Sequence, residues 1–178
     1  MQIRIENKST IKLPPKINQN IERVFNFLPS SHVRGIERLR IVDKISDPRL
    51  NYEIRNSQPG LYHPKQGNQA AWIELAIGVL IPDSSPFLKR MFQRFTLKGN
   101  LATVLFSLVG QHYLITQRHS LKKNQLEGAI RSYTQTQLKS WVASENRFRT
   151  RLFKPLQPTF ERWSRSLQQR AKRMDAKK

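Results

Sequence analysis

The 178-residue chain contains no cysteine, which removes disulfides, thiolate zinc sites and thiol nucleophiles together. Acidic residues are scarce: 12 Asp and Glu stand against 32 Lys and Arg, for a formal charge of +20. Two-metal chemistry needs several carboxylates converging on one cleft. The densest acidic grouping, Asp43, Asp47 and Glu53, is too thin to supply them. Its seven glycines are isolated, so there is no Gly-rich phosphate loop and no cofactor is implied. The four histidines (His32, His63, His112 and His119) lack the neighbouring nucleophile and carboxylate of a hydrolytic triad. No apolar run nears the roughly 18 residues that span a bilayer, and the opening MQIRIENKSTIKLPPK has no apolar segment of the secretory kind. A cytoplasmic setting is the expectation that follows.

What the chain does have is positive charge, unevenly spread. Residues 1–60 are net +5, residues 61–120 net +4 and residues 121–178 net +11. A merely solvated helical face interleaves acids and bases at i,i+4. Arg147, Arg149, Arg151, Lys154, Arg162, Arg165, Arg170, Lys172 and Arg173 have only Glu145, Glu161 and Asp175 near them. Such a concentration reads as a polyanion-binding surface, with Lys122, Lys123 and Lys139 in support.

The apolar pattern, with 38% hydrophobic residues, predicts an α+β fold in which a small amino-terminal sheet packs on a helical layer. Strands are expected at Met1–Glu6, Ile36–Ile45 (branched residues, with charge on alternate positions) and Ala71–Leu80, the last half buried. A helix is expected over Asn18–Leu28, and a loop or loose hairpin over Asp47–Gln69, where three prolines fall. From Ser85 the period becomes 3.6. One helix is predicted to end before Gly99, and a second, capped by Asn100, to carry Leu101, Val104, Leu105, Leu108, Val109, His112 and Ile115. Lys122–Asn146 reads as a third. Pro155 and Pro158 then break the chain before a basic helix over Thr159–Met174. The domain reading is a core over 1–146 and a basic helical extension over 147–178.

The run LATVLFSLVGQHYL resembles the active-site helix of zincin-type metallopeptidases, whose signature is His-Glu-x-x-His. Laid on that signature, Ser107 and Gln111 take the places of the two histidines and Leu108 that of the glutamate. His112 matches the extra histidine that often follows. The downstream segment QLEGAIRSY is similar to the helix that supplies a carboxylate ligand, with Glu127 at or near that position. The resemblance implies a zincin-like core in which strands precede two helices. It also implies lost chemistry, because Ser and Gln do not replace imidazole on zinc and Leu accepts no proton. His112 and His119 are seven apart, about 10 Å along a helix, too far to share one metal. A pseudo-enzyme without metal or catalytic residues follows.

The expected function is therefore a non-catalytic module that contacts the backbone of RNA or DNA, alone or in a ribonucleoprotein assembly, through its carboxyl-terminal helices. Phe148, Phe153, Phe160 and Trp163 lie among the bases and can stack, although 160, 163 and 167 also have the spacing of a core stripe. Two alternatives stand beside it: an interaction scaffold docking on an acidic protein, and a zinc peptidase with a rearranged site. Docking on a membrane surface is disfavoured, since the last helix has a narrow apolar side and several glutamines opposite.

Overall fold

The computed structural model describes residues 3–81, 87–117 and 123–153, with backbone alone for 87–96, 117, 123–124 and 146–153. The elements run β1 (Arg4–Asn7), α1 (Ile17–Phe27), α2 (Ser30–Val33), β2 (Ile36–Val42), α3 (Tyr52–Ser57), β3 (Gly60–His63), β4 (Ala71–Ala76), α4 (Ile77–Leu80), α5 (Phe87–Gln117) and α6 (Lys123–Phe153). The class is α+β, built on a four-stranded mixed sheet of order β1-β2-β4-β3. β1, β2 and β4 are parallel neighbours, and β3 lies antiparallel on the edge. Parallel neighbours cannot be joined by a tight turn, which is why α1 intervenes between β1 and β2.

Strand register sorts the side chains onto two faces. One face carries Leu39, Ile41, Ile73 and Leu75, all fully buried, with Tyr62 beside them. It is covered by α5, whose Leu101, Leu105 and Phe106 are fully buried, and α1 packs on α5 with Ile21 and Val24 fully buried as well. This is the main core. Gly60 lets α5 approach the edge strand, because a Cβ there would lie 2.8 Å from Leu108 and 3.0 Å from the Glu74 carbonyl. The opposite face carries Arg4 and Glu6, Arg38 and Arg40, Trp72 and Glu74, and His63. At its carboxyl end Val42 and Ala76 form a smaller core with Ile45, against which Leu50, Leu61 and Val79 pack.

Several local expectations need correcting. A break at Gly99-Asn100 does not occur: α5 is one 31-residue helix. Its buried stripe, Leu97, Leu101, Leu105, Leu108 and His112, runs straight across that point, and packing outweighs the roughly 1 kcal/mol a mid-helix glycine costs. The strand expected over 71–80 stops at Ala76 and turns into α4. There the Gly78 amide donates to the Asp43 carbonyl at 3.2 Å, an approach that any Cβ would obstruct. β4 is not half buried either, since Ile73 through Ala76, Glu74 included, are all buried. The expected loop over 47–69 contains α3, capped by Asn51 accepting from the Ile54 amide at 2.8 Å, and then β3. β2 ends at Val42 rather than Ile45, and α6 continues to Phe153.

The chain divides into two compact units, 1–138 and 139–178. The helix expected over 159–174, and the prolines before it, lie outside the described residues. Among the described residues no helix is long and apolar enough to cross a membrane.

Candidate functional site

The positions matching the metallopeptidase signature are occupied by packing. Leu108 is buried against Gly60 of β3, while Ser107 and Gln111 are half-buried. His112 is 2% exposed, with both ring nitrogens engaged. Nε2 donates to the Arg34 carbonyl at 2.9 Å, which leaves Nδ1 to accept from the Tyr62 hydroxyl at 2.9 Å. Burial holds this imidazole below its ordinary pKa and the carbonyl acts the other way, so the ring is neutral at pH 7. Burial likewise raises the Tyr62 hydroxyl. Glu127 is exposed on α6, and His119 lies outside the described residues. Among the described residues no three His, Cys, Asp or Glu are placed to share a metal ion. Of the acidic trio noted in the sequence, Asp43 is committed to the turn at 9–11. It accepts from the Ser9 and Thr10 hydroxyls and the Thr10 and Ile11 amides, which hold its carboxyl below the usual range.

Of the basic residues proposed as contacts, Arg147, Arg149 and Arg151 fall in the backbone-only stretch of α6. Lys154, Arg162, Arg165, Arg170, Lys172 and Arg173 lie outside the described residues.

The concentration of chemistry within the described residues is on the polar face of the sheet. Register places Arg4 directly across from Arg38 and Glu6 across from Arg40. Two guanidiniums opposite one another repel, and Glu6 relieves this by pairing with Arg4 and, at 3.5 Å, with Arg40. Burial alone would raise the Glu6 carboxyl, but the hydrogen bond from Arg4 and the charges of Arg4, Arg38 and Arg40 bring it below its usual value. On β4, next to β2, the Trp72 ring lies 5.4 Å from the Arg38 guanidinium carbon and 4.8 Å from that of Arg40. From the other side His63 of β3 stacks on the indole, with centroids 3.8 Å apart and planes 3° from parallel. The row guanidinium–indole–imidazole thus spans three strands and holds flexible arginines in register by cation–π attraction. The Nε atoms of both arginines are buried without a hydrogen bond, that of Arg40 facing Glu6 at 3.5 Å, so any outside partner has to be met by the terminal guanidinium nitrogens.

Beneath the row lies Glu74, fully buried. It accepts from the Ser46 hydroxyl at 2.6 Å and contacts His63 Nε2 at 3.3 Å. Burial pushes this carboxyl up, but the bonds from His63 and Ser46 outweigh it and leave the group below its usual pKa. Glu74 therefore orients His63 and ties down the 43–50 loop. Ser46 and His63 both turn to the same carboxylate, whereas nucleophile activation needs the serine on the imidazole. Loop and edge strand line a half-open cavity of about 290 Å³ whose walls include Arg40, His63 and Trp72.

Sequence reasoning missed this face. Its signals were the alternating charge of 36–42 and the Trp72/Glu74 alternation, both of which mark a strand with a polar side. Neither signal says which strands become neighbours. No family model, curated protein or solved structure matches the chain.

Proposed function

We propose that the protein is a non-catalytic, basic module that binds the sugar-phosphate backbone of nucleic acid, RNA or DNA. The observation that carries this reading is the face on which Arg38 and Arg40 are held over Trp72 and His63, with Arg4 on the next strand. Guanidiniums held in place by the indole suit bidentate contact with phosphate oxygens through their terminal nitrogens. The charge of +20 supplies long-range attraction, and the arginines of 147–173 extend the same chemistry along the chain. The core carries this role as an inactivated zincin-like scaffold: Ser107, Leu108 and Gln111 offer neither imidazole nor general base, and His112 is spent on Tyr62 and Arg34.

Fluorescence anisotropy with a labelled oligonucleotide tests the reading. Three phosphate contacts on this face add about −2 to −3 to the slope of log K against log salt, or roughly 20- to 40-fold in affinity between 50 and 200 mM. Arg38→Gln with Arg40→Gln should reduce the slope by about 1.5. Affinity indifferent to salt overturns the reading. Equal binding to polyglutamate assigns the surface to an acidic protein instead.

A further inference from the structure

The cavity beside the arginine ladder is not simply more cationic surface, and its chemistry narrows the class of nucleic acid. Its volume, about 290 Å³, lies at the lower limit for small-molecule sites and suits a single nucleotide unit. The cations Arg40 and Arg49 stand on its walls, but so does Asp47, and the buried Glu74 lies behind His63. A chamber holding carboxylates next to guanidiniums is poorly matched to phosphate throughout. It matches a group that is anionic at one end and neutral, flat and hydrogen-bonding at the other.

The remaining walls supply what such a neutral end needs. Pro48 and Pro64 are rigid apolar surfaces, and the stacked His63–Trp72 pair adds a π wall. Gln66 and Gln69 present amides able to donate to and accept from a base edge. Their backbones are locked to each other by reciprocal hydrogen bonds of 3.0 and 2.9 Å, so the pair is positioned before any ligand arrives. A nucleotide still paired in a helix keeps its base edge covered and its faces stacked, and so offers these amides and apolar walls nothing to bind.

We propose that this cavity receives one unpaired nucleotide, with its phosphate at Arg40 and Arg49 and its base against Gln66, Gln69 and the proline walls. The nucleic acid recognised is then single-stranded. This rests on the nucleic-acid reading above and specifies it.

The test uses the full chain at fixed moderate salt, with a 12-nucleotide single strand, its duplex, and free 5′-mononucleotides. Arg49 and Gln69 are exposed loop residues, so Arg49→Gln with Gln69→Ala leaves the core intact. The single strand should bind about tenfold or more tighter than the duplex, a margin typical of one or two base contacts. The double variant should lose that margin while keeping duplex affinity, and mononucleotides should perturb the Trp72 indole resonance saturably in the parent alone. Equal affinity for strand and duplex, or a variant indistinguishable from the parent, overturns the proposal and leaves backbone binding standing. If neither oligonucleotide binds, the backbone reading falls. The mononucleotide titration then decides the cavity separately: saturable shifts abolished in the variant retain it as a nucleotide site, and their absence ends it.

Discussion

Replacing Glu74 should cost more than any other polar change on the sheet, and by an amount that depends on the replacement. The carboxylate is fully buried and serves Ser46 at 2.6 Å and His63 at 3.3 Å. Glu74→Ala opens a void and takes the acceptor from His63 and Ser46, and the void together with two lost charge-assisted hydrogen bonds costs about 3–5 kcal/mol. For a chain of this length that is a fall of about 6–20 °C in Tm. Glu74→Gln keeps the shape and one acceptor but loses charge assistance, and should cost about 1–2 kcal/mol. Urea midpoints for the three proteins at pH 7 measure this directly. The Glu74 carboxyl titrates below its ordinary 4.5 in the folded chain, so its stabilisation is complete above that value and is lost as pH falls through the lower folded one. The gap between parent and Glu74→Gln should therefore close in acid. An alanine variant within about 0.5 kcal/mol of the parent, or a gap independent of pH, would refute the assignment of Glu74 as the keystone of this face.

Other perturbations probe the helical side. Gly110→Ala places a Cβ 2.6 Å from the ring of Tyr133, whose hydroxyl is hydrogen-bonded to His32 Nδ1 at 2.8 Å, and should destabilise by about 1–3 kcal/mol in thermal melts. Gly35→Ala has room beside His112 but must hold φ at 100°, and should cost about 1–2 kcal/mol by the same measurement. Tyr62→Phe removes the hydroxyl from His112 Nδ1 and should cost about 1–2 kcal/mol. Burial holds His112 and His32 below their ordinary 6.5, so the unfolded chain takes up protons first as pH drops. Urea midpoints should accordingly decline from pH 6.5 downward, and His112→Gln should flatten part of that decline.

The long periodic segments were legible because their stripe continues regardless of neighbours. Ile21, Val24 and Phe25 fixed the inner side of α1, and Leu101, Leu105 and Leu108 that of α5. Gly99-Asn100 misled because local propensity there opposes a packing force spread over five buried positions, Leu97 before the pair and Leu101, Leu105, Leu108 and His112 after it. α3 and β3 were hidden among prolines whose local signal is turn, although Asn51 was a readable cap. The polar face was legible only as alternation. That Arg38, Arg40, Trp72 and His63 form one row depends on β4 inserting between β2 and β3, a long-range choice that no window of residues records. Glu74 looked like the wet side of a strand because Ser46, which covers its carboxylate, lies 28 residues earlier in the chain. Whether His112 faced solvent or the Arg34 carbonyl was not visible in the periodicity of α5.

The most direct measurement is a map of amide and indole resonances on adding a short single-stranded oligonucleotide at low salt. The account predicts saturable shifts at Arg38, Arg40, His63 and the Trp72 indole, reversed by added salt and lost in Arg38→Gln with Arg40→Gln. Shifts that leave these residues untouched while the oligonucleotide is bound would contradict it.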